Sequence, residues 1–168
     1  TRIWTLVDPL GDARITLTGR SLELALPGGV SHDLWTGRLR ATRILQPARD
    51  EDLEVEVKFN SAVTRRFQLQ GIIVEQDDRN LVRFDVFHDG STERAFAAVV
   101  ANGIASARAN LPVVIGAPMF LRVTRVGDQW TFRYSADGAA WATAASFAHA
   151  LRVTRIGPFA GNHGIPES

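Results

Sequence analysis

The chain has 168 residues, 45% of them apolar and 22% charged, with a formal net charge of +1. That is long and apolar enough for one domain with a sizeable core, and it argues against disorder and against a nucleic-acid footprint. Cysteine is absent, which excludes disulfides and thiolate metal sites, and no apolar run approaches the roughly 18 residues of a membrane span.

Of the 19 basic residues only Lys58 is lysine, and the arginines are scattered among 18 acids. No basic stripe forms. No signal peptide is visible, and the sequence opens at Thr1 without a methionine. Residues 1–168 therefore read as a single domain excised from a longer protein.

Residues 3–7 (IWTLV) read as a short strand closed by a turn at 8–12. Residues 13–18 and 21–26 alternate and pair as a hairpin across Gly19 and Arg20. The stretch 31–46 (SHDLWTGRLRATRILQ) is the least regular of the first half, dense in His32, Asp33, Trp35, Arg38, Arg40 and Gln46. It reads as a long loop leading into a short strand at 43–45, and long loops on rigid scaffolds commonly carry function. Residues 52–60 form a clear strand, with Leu53, Val55, Val57 and Phe59 inward and Glu54, Glu56 and Lys58 outward.

Residues 66–87 (RFQLQGIIVEQDDRNLVRFDVF) organise the chain. Two strand-forming arms flank the polar turn 76–80, a hairpin signature. On the first arm Phe67 and Leu69 point one way, Gln68 and Gln70 the other. On the second, Val82, Phe84 and Val86 face the core, Arg83 and Asp85 the opposite surface. Further strands follow at 92–100, 104–109, 118–126, 129–135 and 151–159, separated by Asp-Gly, Asn-Gly and Gly-Asp turns and by a loop with two prolines at 111–118. Residues 146–149 suit a strand or a helical turn. Trp4, Trp130 and Trp141 are assigned to the core, Trp130 because it alternates with Phe132 and Tyr134. The hexapeptides RVTRVG (122–127) and RVTRIG (152–157) read as two similar strand ends, because their surroundings differ. No segment shows a sustained helical period, and about a dozen closely spaced strands argue for an all-β, antiparallel sandwich.

Several segments together resemble the concanavalin A-like lectin/glucanase superfamily: His32-Asp33-Leu34-Trp35, the strand Leu53 to Phe59, Gln70-Gly71-Ile72-Ile73-Val74, Tyr134-Ser135-x-Asp137-Gly138-x-x-Trp141, and Ile156-Gly157-Pro158-Phe159-Ala160. The chain is similar, over nearly its whole length, to the jelly-roll accessory domain of secreted bacterial proteins and to the C-terminal domain of some β-xylosidases. The resemblance implies a two-sheet jelly roll, often with glycan binding on a concave face or loop rim, in an extracellular, carbohydrate-related protein. Members usually carry one more strand after the Gly-Pro-Phe segment, and a short acidic-aromatic segment before the strand holding Trp4. Neither is seen here, so an open edge is expected that a partner segment or second copy can pair with.

Two constellations suit ligand binding. Gln68, Gln70, Arg83 and Asp85 offer planar amides, a guanidinium and a carboxylate that match sugar hydroxyls; the same residues also read as a solvated sheet face with a cross-strand ion pair. The loop with His32, Asp33, Trp35, Arg38 and Arg40 offers an indole platform, or a tryptophan buried under its loop with His32 and Asp33 fixing backbone. Catalysis is not expected: contiguous Ser31-His32-Asp33 cannot adopt triad geometry, and outward Glu54 and Glu56 read as a solvated strand face rather than a glycosidase pair. No cofactor is expected beyond the structural calcium that superfamily members often carry. The turns at 8–12 and 76–80 offer it oxygens, without a defined ligand spacing. The chain thus reads as a non-catalytic carbohydrate-binding or accessory module. Its partners would be an oligo- or polysaccharide and an attached domain, with neither nucleic acid nor membrane. A structural module packing against a partner ranks second, a glycoside hydrolase third.

Overall fold

The computed structural model describes residues 4–163. Among them there is no helix, and fifteen strands are formed. The first six are β1 (Thr5–Val7), β2 (Arg14–Leu17), β3 (Leu22–Ala25), β4 (Leu34–Trp35), β5 (Arg38–Leu39) and β6 (Thr42–Pro47). Then come β7 (Leu53–Phe59), β8 (Gln68–Glu75), β9 (Leu81–His88), β10 (Glu93–Ala101) and β11 (Ile104–Val113). The last four are β12 (Met119–Val126), β13 (Gln129–Ser135), β14 (Ala142–Ala148) and β15 (Arg155–Asn162). They build a seven-stranded sheet in the order β1-β6-β15-β8-β9-β10-β11 and a four-stranded sheet, β14-β13-β12-β7, with ribbons β2-β3 and β4-β5 added.

Alternation explains the main core. Val82, Phe84 and Val86 of β9 meet Leu121 and Val123 of β12 and Trp130 and Phe132 of β13 in one buried cluster. Phe84 lies at its centre, 5.6 Å from Phe132 and 5.9 Å from Trp130 between ring centroids. The Trp130 indole N–H donates to the His149 carbonyl at 2.8 Å, so its polar edge is satisfied. A second, smaller core lies on the far face of the large sheet, where Leu69, Ile73, Leu81, Val100 and Phe159 are covered by Leu34 and Leu39 of the β4-β5 ribbon. Both faces of β8 and β9 are therefore buried.

Several expectations change. The stretch 31–46 is a short ribbon plus a six-residue strand, not a long loop. The proline-bearing segment 111–113 extends β11, and 142–148 is a strand. RVTRVG belongs to a strand and its turn, whereas RVTRIG begins outside β15. Trp4 is 51% exposed and Trp141 only half-buried, so of the three tryptophans assigned to the core only Trp130 is fully inside.

The strand with Gly157-Pro158-Phe159 lies inside the large sheet, hydrogen-bonded to β6 on one side and β8 on the other. The expected open edge beside it is not there, and the outermost strands are β1 and β11. Proline is normally confined to edges or irregularities because it cannot donate to the ladder. Here the β15-β6 ladder skips Gly157 and Pro158 and resumes in the same register at Phe159, and a Cβ on Gly157 would collide with the Ile44 carbonyl. Pro158 sits in that irregularity.

A buried groove floor built around Arg83

On β9 the residues facing away from the main core are Leu81, Arg83, Asp85 and Phe87, the i, i+2 set of one strand face. Asp85 takes the Arg83 guanidinium in a two-pronged pair, Nε to Oδ1 at 2.8 Å and Nη2 to Oδ2 at 2.9 Å. The residue opposite Asp85 on β8 is Gly71. A Cβ there would run into the Phe84 carbonyl and the Asp85 side chain, so glycine is what admits the carboxylate.

Nη1 of Arg83 donates to the Leu34 carbonyl at 2.8 Å and to Asp33 Oδ1 at 3.3 Å. One guanidinium thus clamps the β4-β5 ribbon onto the sheet. Its faces lie over Phe96 and Phe159, 5.1 and 5.6 Å from the ring centroids. Arg83 is 3% exposed and Asp85 fully buried. Burial opposes the Arg83 charge, but the Asp85 and Asp33 carboxylates outweigh it and hold its pKa above the usual guanidinium value, so Arg83 is a fixed cation.

Above this floor is a groove of about 580 Å³. Its apolar walls are Trp35, Phe67, Phe87 and Phe96; its polar ones include Asp33, Arg38, Asn110 and His163. Trp35 and Phe96 lie 6.0 Å apart and tilted, Phe87 meets Phe96 edge-on at 5.8 Å, and Phe67 meets His163 edge-on at 5.5 Å. Thr36 Oγ1 accepts from the Ala105 N–H at 2.9 Å, tying the ribbon tip to β11. Nδ1 of His163 is 3.3 Å from Asp33 Oδ2. Asn110 Oδ1 accepts from Arg94 Nε at 2.6 Å, leaving its amide N–H groups uncommitted among the described residues. Phe67 adopts φ 62°, uncommon for a residue with a bulky side chain. Its N–H bonds to the His88 carbonyl and its own carbonyl accepts from His163 N–H, which holds the strained turn in place. Aromatic faces beside planar donors and acceptors are what a ring of hydroxyls and C–H faces needs.

Asp33, Trp35 and Arg83, read from two separate stretches, converge on this one groove. Asp85 lies beneath it, fully buried, and orients Arg83 without reaching the surface. His32 is also fully buried: Nε2 is 2.9 Å from Asp12 Oδ1 and Nδ1 is 3.1 Å from the Val30 carbonyl. It pins the loop to the body. Arg40 is exposed, bonds to the Asp33 carbonyl only through its backbone N–H, and does not line the groove.

Gln68 and Gln70 do not share a face with Arg83 and Asp85. Gln70 stands opposite Val86 on the core side, where its Nε2 donates to the Ser61 carbonyl at 2.6 Å. Gln68 Oε1 accepts from Thr64 and Arg65 N–H, both at 3.0 Å, and fixes the turn before Phe67. Phe67, Phe87, Phe96, Asn110 and His163 were not anticipated. Phe87 was signalled by the alternation that singled out Arg83 and Asp85; the others converge only through tertiary pairing.

Glu54 and Glu56 flank Arg122 on the exposed face of the small sheet, with Arg122 Nη2 2.7 Å from Glu56 Oε2. That is a solvated ion pair, away from the groove. Asp8 Oδ1 and Oδ2 accept from Gly11 and Ala13 N–H, and Asp77 Oδ1 from Arg79 N–H. Among the described residues no group of three or more His, Asp or Glu gathers that could hold a metal.

The fold is shared with solved structures. A functionally unknown protein from Saccharomyces cerevisiae superposes with a TM-score of 0.79 at 14% identity, over 96% of this chain and 86% of that one. The carbohydrate binding module CBM66 from Bacillus subtilis gives 0.59 at 18% identity, over 97% and 88%. A xylan beta-1,4-xylosidase from Bacillus halodurans C-125 gives 0.64 at 14% identity, over 83% of this chain but 29% of that one. At such identities the likeness establishes the fold, the jelly-roll β-sandwich expected from the sequence. No curated protein matches the chain. Residues 36–162, from the tip of the β4-β5 ribbon to the end of β15, match the model of a family described as a protein of unknown function (DUF1349), and the chain belongs to that family.

Proposed function

We propose that this domain is a non-catalytic carbohydrate-binding or accessory module, and that it holds an oligo- or polysaccharide in the groove over Arg83. The observation that carries this reading is the groove itself: four aromatic side chains around a polar floor whose guanidinium is locked in place before any ligand arrives. Groove walls held in place before binding lose little freedom when it occurs. The solved neighbours named as a carbohydrate binding module and as a xylosidase support it. In this reading the domain is extracellular and works attached to another domain of a secreted protein. From so open a site we expect millimolar to micromolar affinity, roughly −4 to −8 kcal/mol.

The test is a polysaccharide screen by affinity electrophoresis, comparing the unsubstituted domain with Trp35→Ala and Asn110→Ala. Both positions line the groove without belonging to the Arg83 clamp. Selective binding, weakened about tenfold or more in Trp35→Ala while the melting temperature holds, is expected. Failure to bind any polysaccharide, or equal binding by the variants, would remove the proposal.

An assembly role has one observation in its favour. Ile15, Leu17 and Leu22 share a face of the β2-β3 ribbon and are 36%, 76% and 42% exposed, a surface suited to packing against another domain.

A further inference from the structure

The charges around the groove do not balance. Arg38 lines it from the β4-β5 ribbon. Arg65 and Arg66 line an adjoining hollow of about 490 Å³ together with Thr64, His88, Asp89 and Ser91. The two spaces meet at consecutive residues: Phe67 walls the groove, and the Arg66 guanidinium lies over the Phe67 ring, 4.7 Å from its centroid. The Arg66 stem fills the space that a side chain at Gly90 would occupy, while the residue remains exposed to solvent.

The acids nearby are already engaged. Asp33 and Asp85 hold Arg83, and Asp33 also faces His163. Asp89, the one acid in the hollow, accepts from Ser91 and Thr92 N–H at 2.8 and 2.9 Å and faces Arg94 at 3.4 Å. Those backbone bonds hold its carboxyl below the usual range. His88 Nδ1 accepts from Gly90 N–H at 3.0 Å, which leaves Nε2 as the donor of the neutral ring. Among the described residues Arg38, Arg65 and Arg66 make no ion pair, while Arg83, Arg94 and His163 do. A guanidinium fork matches an anionic oxygen pair far better than it matches a hydroxyl.

We infer that the groove takes an acidic polysaccharide, with the anionic group of one sugar held by Arg65 and Arg66 in the hollow beside Phe67 and the neighbouring rings against Trp35, Phe87 and Phe96. The inference rests on the carbohydrate reading above and names its substrate class. The shared chemistry is an anionic oxygen cluster on a sugar ring, supplied by a uronate carboxylate or by a sulfate ester.

The experiment is affinity electrophoresis of the whole domain through paired polymers. Polygalacturonate and glucuronoxylan are each run beside the same polymer with its carboxylates reduced to alcohols, and a sulfated galactan beside its desulfated form. The unsubstituted domain should be retarded more by at least one acidic member of a pair, and the responding pair identifies carboxylate or sulfate. Arg65→Gln with Arg66→Gln should weaken that binding about tenfold or more and leave binding to the neutral member nearly unchanged. Arg14→Gln with Arg20→Gln, the same charge change on the β2-β3 ribbon and its turn, should shift it by less than about twofold. Equal retardation by acidic and neutral members, or equal loss in the two double variants, overturns the inference and leaves the carbohydrate reading standing. No retardation by any polymer removes both.

Discussion

Replacing Asp85 with alanine strips the Arg83 fork of its two-pronged carboxylate partner, at 2.8 and 2.9 Å. What remains is the 2.8 Å bond to the Leu34 carbonyl and the 3.3 Å approach to Asp33. Arg83 is 3% exposed, so bulk solvent does not reach the charge left behind. Removing one member of a buried ion pair costs about 3–5 kcal/mol for this reason. For a domain of this length each kcal/mol moves the melting temperature by about 2–4 °C, so Asp85→Ala should melt about 6–20 °C lower. The double variant Arg83→Met with Asp85→Ala removes the stranded charge as well. It should lose about 1–3 kcal/mol less than the two single losses added together. Urea unfolding of the four proteins reads this directly, and urea leaves charges unscreened where guanidinium chloride does not. Additive losses, or an Asp85→Ala domain melting within about 2 °C of the parent, would refute the reasoning.

Two further outcomes follow from the structure. Gly71→Ala puts a Cβ against the Phe84 carbonyl and the Asp85 side chain; because the obstacle is backbone, the loss should be about 1–3 kcal/mol or more, read as a lower urea midpoint at unchanged m, and a neutral variant would contradict the tight β8-β9 approach. Asp50, Asp77, Asp89 and Asp137 each have a lowered carboxyl pKa, Asp50 through Arg125 first and the others through backbone N–H groups first. At these four carboxyls the unfolded chain binds more protons than the folded one in the ordinary carboxylate range, so the stability they contribute should be present at neutrality and be lost as pH falls through and below that range; His149, lowered by burial first, adds an earlier loss through the histidine range, and Asp85, raised by burial first, acts in the opposite sense. Melting temperatures against pH for the parent and for Asp137→Asn check this; an equally steep fall in the variant would detach Asp137 from the effect.

The sandwich was legible because hairpins announce themselves locally. Alternation in residues 53–59 correctly divided core from surface on β7; in residues 81–88 it sorted the two faces of β9, but the face of Arg83 and Asp85, expected to be solvated, is buried under the β4-β5 ribbon. On β8 the same reasoning failed for a physical reason. Residues 69–75 are buried on both faces, so Leu69 and Gln70 are equally enclosed and hydropathy no longer tells in from out. Glu75 shows the same blindness: it is fully buried, facing Arg43 and bonded to Arg155 at 2.7 Å. Trp35 and Asp33 were visible as candidates by chemistry and Arg83 by its face, but as two sites. Only the fold of residues 31–41 over the large sheet makes them one. His163 and Phe67, far apart in the chain, become groove walls through bonds that no short-range pattern encodes.

The central position of β15 has a consequence for how this chain reaches its native state. Its register joins Arg155 to Pro47 on one side and to Glu75 on the other. β15 alone joins β1-β6 to β8-β9-β10-β11; without it the native arrangement would leave a strand-wide slot lined by unpaired amides and carbonyls. Closure requires contacts across more than a hundred residues, the kind of topology that folds slowly. A slot of that kind would invite pairing by another extended segment. The slot is then filled by a strand whose Gly157 and Pro158 suit this one position, so the residues that seal the sheet also discriminate against substitutes.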